Sequence, residues 1–290
     1  MKVGGWAAGL SLVLQMKSYA SVADESPAAL GSVVFDYFAE EVFNGLSPDI
    51  RDIMQRTAVL PVMSPQTVEQ LIGSPGAGRL VAQFAQLNYF TTKHGDQNPM
   101  YQYHPLFREF LLDRAEAAFS SEELTELRRQ AARILIASGQ LEDGMQMFLR
   151  VKDWEAAAAL VYRHARCLHE QGRHKTLETW LNLFDKEIVE KNPWLSYWMG
   201  ASLVFYDPVL SRPYFENAYA LFQKIDDPAG MLLSWAGIMD SISYAYGDLR
   251  EAEPWIAEMD LLLAKYPEIS PPEIAGRVTF TMFTVLMFWV

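Results

Sequence analysis

The sequence predicts a mainly α-helical protein built in two styles. A helical module interrupted by one β-hairpin comes first, and helical hairpins stacked in series follow. Three observations carry this. Apolar residues return at helical spacing along almost the whole chain. Between Tyr89 and Tyr103 the period drops to two, and beyond Gly139 turn residues recur at intervals of 33, 34 and 41.

Taken in order, a first helix covers about Val3 to Tyr19, and the small polar residues from Ser21 to Ala29 form a linker. Phe35, Phe38, Val42 and Phe43 share one face of a second helix that ends at Asn44-Gly45. Ser47 is placed to cap a third helix with Pro48 at its first position, since its hydroxyl can accept from an amide left free by the helix and proline lacks that amide. Ile50, Ile53, Met54 and Thr57 face one side, and Pro61 stops the helix. Ser64-Pro65 opens another through Val68, Leu71 and Ile72. Gly73 to Gly78 is a turn, and Leu80, Phe84 and Leu87 give one more helix, to about Asn88. Tyr89 to Thr92 and Met100 to Tyr103 alternate as strands do, around a hairpin loop from His94 to Pro99. Three helices, a hairpin and a closing helix make the layout of a winged helix, over residues 35–119.

From residue 122 to 290 the expectation is a tetratricopeptide-like α-α superhelix. Gly139, Gly172, Tyr206 and Gly247 mark turns close to the 34-residue period of that repeat. Glycine ends one helix in a left-handed cap, and a small residue lets the next pack close. A single hairpin cannot bury its apolar face, so stacking is required. The array is expected to want a capping element after Val290, and the apolar run from Phe280 to Val290 reads as a helix lacking a packing partner.

Composition narrows the function classes. Half of the 290 residues are hydrophobic and the net charge is −12. That charge argues against binding nucleic acid through phosphate neutralisation. The candidate recognition helix of the winged module, Gly78 to Asn88, carries Arg79 as its sole basic residue, so no direct DNA contact is expected from it. The lone Cys167 excludes an intrachain disulfide framework and fits a reducing cytoplasm. Residues 1–23 have the outline of a signal peptide, but Gln15, Lys17 and Tyr19 interrupt it. No run reaches the ~20 apolar residues of a membrane span. His164, Cys167, His169 and His174 do not converge on one helix face as metal ligands would, and read as solvated helix surface. No nucleophile–base pair or phosphate loop is visible, so no catalytic residue is assigned and the chain is expected not to be an enzyme.

The stretch Tyr101-Gln-Tyr-His-Pro-Leu-Phe-Arg-Glu-Phe-Leu111 resembles the end of the winged helix in MalT-like, LuxR-type regulators of the STAND ATPase class. Gly4-Gly5-Trp6-Ala7-Ala8-Gly9-Leu10 is similar to a segment of their small helical subdomain, where a proline approaches the adenine; Ala7 stands in its place here. The resemblance covers the chain as a succession: the end of a helical subdomain plus linker at 1–30, the winged helix, and the repeats. It implies that His104 senses nucleotide state by donating to a phosphate of ADP, with Trp6 and Ala7 beside the adenine. ATP or ADP would be held only in combination with an ATPase core, in cis or in trans, since this chain binds no cofactor of its own. It also implies self-association of a full-length form and a small-molecule or protein effector on the repeats. Trp194, Trp198, Tyr206, Trp235 and Tyr244 are the effector-binding candidates within an aromatic group that otherwise reads as core. For His104 a purely packing role at the junction stays open. Two further readings also stay open: a stand-alone repeat scaffold for partner proteins, and a secreted helical protein.

Overall fold

The computed structural model describes residues 39–87, 90–267 and 272–289. The expectations for the helix at 3–19, the linker, Trp6 and Ala7 lie outside the described residues. The chain divides into two compact units between Val151 and Lys152.

In the first unit, residues 39–44 are helical. Helix α1 (Pro48–Thr57) is capped by Ser47, and α2 (Pro65–Ile72) by a reciprocal Ser64–Thr67 box. Gly73 ends α2 at φ 72°, which glycine reaches without a Cβ clash. Helix α3 (Ala77–Gln86) follows, and then the antiparallel strands β1 (Thr91–His94) and β2 (Met100–Tyr103), with Thr91 opposite Tyr103 and His94 opposite Met100. The first strand therefore leaves out Phe90, which the sequence pattern had included, and takes in His94. Pairing, rather than local alternation, sets its ends. Met63 adds a rung by exchanging backbone hydrogen bonds of 2.8 and 2.7 Å with Tyr101. Tyr101 and Tyr103 point inward, and α4 (Pro105–Ala118) closes over them with Phe107 and Leu111 fully buried. Each such side chain contributes about 1.5–3 kcal/mol by leaving water.

Polar clamps fix this module. The Thr57 hydroxyl meets the Tyr103 hydroxyl at 2.9 Å, and burial pushes the Tyr103 phenol well above its ordinary pKa. The Arg108 guanidinium donates to the carbonyls of Ala58 (2.8 Å) and Val59 (3.0 Å), which leave the end of α1. Helices α5 (Ser121–Ala137), capped by a Ser120–Glu123 box, and α6 (Leu141–Arg150) complete the unit. The sequence expectation counts both with the repeats, which it begins at residue 122. They form a packed hairpin around Gly144, whose missing Cβ would lie 2.5 Å from Ile136.

The second unit is helical throughout its described residues. It comprises α7 (Trp154–Glu170), α8 (His174–Leu181), α9 (Lys186–Lys191), α10 (Pro193–Leu203), α11 (Pro208–Lys224), α12 (Pro228–Tyr244), a 3-10 turn (Leu249–Ala252), α13 (Glu253–Lys265) and α14 (Pro272–Trp289). Asn192-Pro193, Asp207-Pro208 and Asp227-Pro228 each start a helix the same way. The first residue's side chain accepts from an amide three positions on, and proline holds the first turn. Short connections make α10, α11 and α12 successive packed neighbours. Their contact is glycine against ring: a Cβ on Gly200 or Gly237 would lie 2.9 or 2.4 Å from Phe215, and one on Gly230 2.3 Å from Phe222. Two of the expected turn glycines, Gly139 and Gly172, are left-handed (φ 84° and 71°); at the fourth turn Tyr246, not Gly247, takes that conformation. Helix α14 rests mainly on α12, burying Val278 and Val285 and leaving Phe280, Phe283 and Met287 exposed. No helix among the described residues is long and apolar enough to cross a membrane.

Candidate functional site

A concavity of the second unit lies where α7, α10, α12 and α14 approach one another. Its volume is about 590 Å³, within the range of small-molecule sites. Local helix geometry explains the lining. Tyr162, Arg166, His169 and Glu170 follow helical spacing on α7, and Trp194, Tyr197 and Trp198 do so on α10. Leu233 comes from α12, and Glu273, Ile274 and Arg277 come from the first turns of α14. A smaller cavity of about 260 Å³ shares His169, Tyr197 and Arg277 with it and adds Phe205, Asp240, Tyr244 and Phe280.

The rings pack edge to face: Trp194 to Tyr197 at 5.8 Å, Tyr197 to Trp198 at 5.1 Å, Trp194 to Phe222 at 4.9 Å. Asn192 donates to the Tyr162 hydroxyl at 2.6 Å and steadies that wall. The charges are arranged in pairs. Arg277 donates to Asp240 and to the Thr281 hydroxyl, and Arg166 lies 2.8 Å from Glu170. Burial holds the Asp240 carboxyl above its usual range against the pull of Arg277. His169 stands between the two cavities, with its ring 4.8 Å from His174 and 6.2 Å from Trp198. Burial, reinforced by His174 and Arg277, lowers its pKa to about 4, so the imidazole is neutral at neutral pH. Its Nδ1 is buried and makes no hydrogen bond.

The predicted residues separate. Trp194 and Trp198 line the larger cavity, and Tyr244 lines the smaller. Trp235 does neither: it is 1% exposed, and its indole donates to the Trp255 carbonyl at 2.6 Å, as a core residue. Tyr206 lies on the outside, its hydroxyl on Glu178 and its ring under the Lys175 ammonium at 3.8 Å. His169 and His174, expected on a solvated surface, are half-buried among aromatic rings, because α10 and the turn after it cover that part of α7. Among the described residues no group of three or more His, Cys, Asp or Glu side chains could hold a metal ion. Tyr162, Arg277 and Asp240 escaped sequence reasoning. The helical spacing of Tyr162, Arg166 and His169 was the available signal.

His104 sits at the corner between β2 and α4. Its amide donates to the Phe90 carbonyl at 2.7 Å, and its carbonyl accepts from Arg108 at 2.9 Å. The residue is half-buried, and its side chain does not cap the helix. This fixes the imidazole's point of attachment at a turn with two backbone bonds.

Sequence comparison is consistent with this layout. Residues 39–123 match the family described as the MalT winged helix domain. The chain is 26% identical over 288 residues to the HTH-type transcriptional regulator MalT of Serratia proteamaculans, covering 96% of this chain and 32% of that one. It is 25% identical over 196 residues to the MalT of Cronobacter sakazakii, covering 66% of this chain and 22% of that one. Among solved structures, a STAND protein with a tetratricopeptide repeat sensor from Pyrococcus horikoshii aligns with a TM-score of 0.47 at 14% identity, covering 96% of this chain and 49% of that one. The chain spans less than a third of the length of the curated relatives named here. Over that span it is similar to MalT-type regulators, and residues 39–123 are similar to their winged helix.

Proposed function

We propose that this chain is the regulatory and sensor region of a MalT-like, ATP-dependent transcriptional regulator. In this reading residues 1–30 end the helical subdomain of an ATPase core supplied in cis or in trans. Residues 35–119 form the winged helix, and 122–290 the effector-binding repeats. The observation that carries it is the winged-helix match at 39–123 followed by a helical unit with an aromatic cavity.

The mechanism is a coupling of states. An effector bound against Trp194, Trp198 and Tyr244 would favour an open arrangement, in which the winged helix releases the ATPase core and self-association follows. It does so only by binding the open state better than the closed one. His104 would read the closed state by donating to a phosphate of ADP, with Trp6 and Ala7 beside the adenine. The two backbone bonds that hold His104 fix the point from which its side chain leaves the corner, which supports that role. DNA and membrane contact are assigned to neither unit.

Nucleotide retention tests the reading. In a full-length regulator reconstituted with this region, His104→Ala is expected to release ADP on gel filtration while the parent retains it. Equal retention removes the sensing role. The exposed Phe280, Phe283 and Met287 on α14 favour a second reading, a scaffold for partner proteins, which predicts partner capture unaffected by nucleotide.

A further inference from the structure

We infer that the cavity between α7, α10, α12 and α14 takes a small ligand with a flat apolar body and an uncharged head that both donates and accepts hydrogen bonds. This rests on the effector reading above and narrows it to a ligand class.

The body follows from the walls. Trp194, Trp198 and Tyr162 line it together with Leu233 and Ile274, and the space is about 590 Å³. Aromatic walls of this kind favour a planar guest, through stacking and edge contacts beyond simple burial.

The head follows from the charges. Arg277 is answered by Asp240, and Arg166 by Glu170. Glu273, also in the lining, adds a weaker attraction on Arg166. An anionic head that engaged Arg277, the more buried of the two guanidinium groups, would draw it off Asp240 and leave a buried carboxylate bare. A cationic head would do the converse to Arg277. Either exchange strands a desolvated charge, which costs more than the new contact returns. Capacity for a neutral group remains. His169 Nδ1 is buried, makes no hydrogen bond, and lies where the two cavities join. In a neutral imidazole that nitrogen is a donor or an acceptor according to the tautomer, so it answers a head able to play either part. The low pKa of His169 agrees, because an imidazole that resists protonation does not recruit an anion.

Three indoles of similar shape test this on the full chain by calorimetry at neutral pH: uncharged N-acetyltryptophanamide, anionic indole-3-acetate and cationic tryptamine. The uncharged probe is expected to bind at least about tenfold more tightly than either charged one. Leu233→Trp, which fills the larger cavity, is expected to abolish that binding. Asp240→Asn frees the Arg277 charge and should turn the preference towards indole-3-acetate, a change that loss of packing alone would not produce. A charged probe ranking first on the unaltered chain, no binding by any of the three at millimolar concentration, or undiminished binding to Leu233→Trp overturns the assignment. Should Asp240→Asn fail to fold, the ranking on the unaltered chain decides. A charged probe ranking first would sink the ligand class and leave the effector role standing, whereas ADP retention indifferent to every bound ligand would sink the effector role and leave the site.

Discussion

The two units keep their shape by different means. In the winged-helix unit, buried polar groups close on one another and on the backbone: Thr57 on Tyr103, Arg108 on the carbonyls after α1, Gln55 on the Arg114 carbonyl at 3.0 Å. Its hairpin has two strands of four residues, and such clamps fix what so little apolar area cannot. In the helical unit, order comes from rings seated on glycines, and the polar groups of α7, α12 and α14 face a cavity. The first arrangement suits a part that must present one corner rigidly. The second leaves room for something to enter.

The contrast breaks most sharply at Phe215. Phe215→Ala removes the ring that Gly200 and Gly237 hold and is expected to destabilise the helical unit by about 3–5 kcal/mol. Seven of the eight tryptophans lie at or beyond Trp154, so tryptophan fluorescence in a urea titration follows that unit. An unchanged midpoint would show that the ring contact is not what holds α10, α11 and α12.

Within the winged helix, Thr57→Val leaves the buried Tyr103 hydroxyl without its side-chain partner, for an expected loss of about 1–3 kcal/mol. Amide exchange of β2 is the readout, and protection equal to the parent's would remove the clamp from the argument. Ser120→Ala deletes one half of the box that starts α5 and should cost about 1 kcal/mol in the same unit, read from the far-ultraviolet melting curve.

The finest discriminator is pH. The folded pKa of His169, about 4, lies below its ordinary value of 6.5, so the unfolded chain binds the extra proton more readily. Stability is therefore full above about pH 6.5 and falls as pH drops towards 4. His169→Gln should flatten that part of the profile in paired urea titrations at pH 7 and pH 4.5. Parallel profiles would mean that the imidazole is as solvated folded as unfolded.

Much of the fold was legible because it is local. Ser47, Ser64 and the Asp/Asn-Pro pairs announce helix starts through chemistry contained within four residues, and Gly139 and Gly172 announce ends. What escaped depends on pairing at a distance. The extent of β1 is set by its pairing with Met100 to Tyr103. The candidate site was legible in part. The aromatic content of α10 was evident, but nothing local separates Trp194, at a cavity, from Trp235, inside the core. His169 looked like surface because helical spacing alone cannot say that α10 will cover it. Arg277 and Asp240 are 37 residues apart, and only the docking of α14 on α12 makes them partners.

The seat of Phe215 between two glycines has a consequence for how such a chain can change over time. A larger side chain at position 200 or 237 collides with the ring, and a smaller one at 215 leaves a hole that neither glycine can fill. Three positions on three successive helices thus form a single inherited unit. A lineage that altered one without the others would pass through a weakened intermediate, so their identities are expected to shift together or not at all.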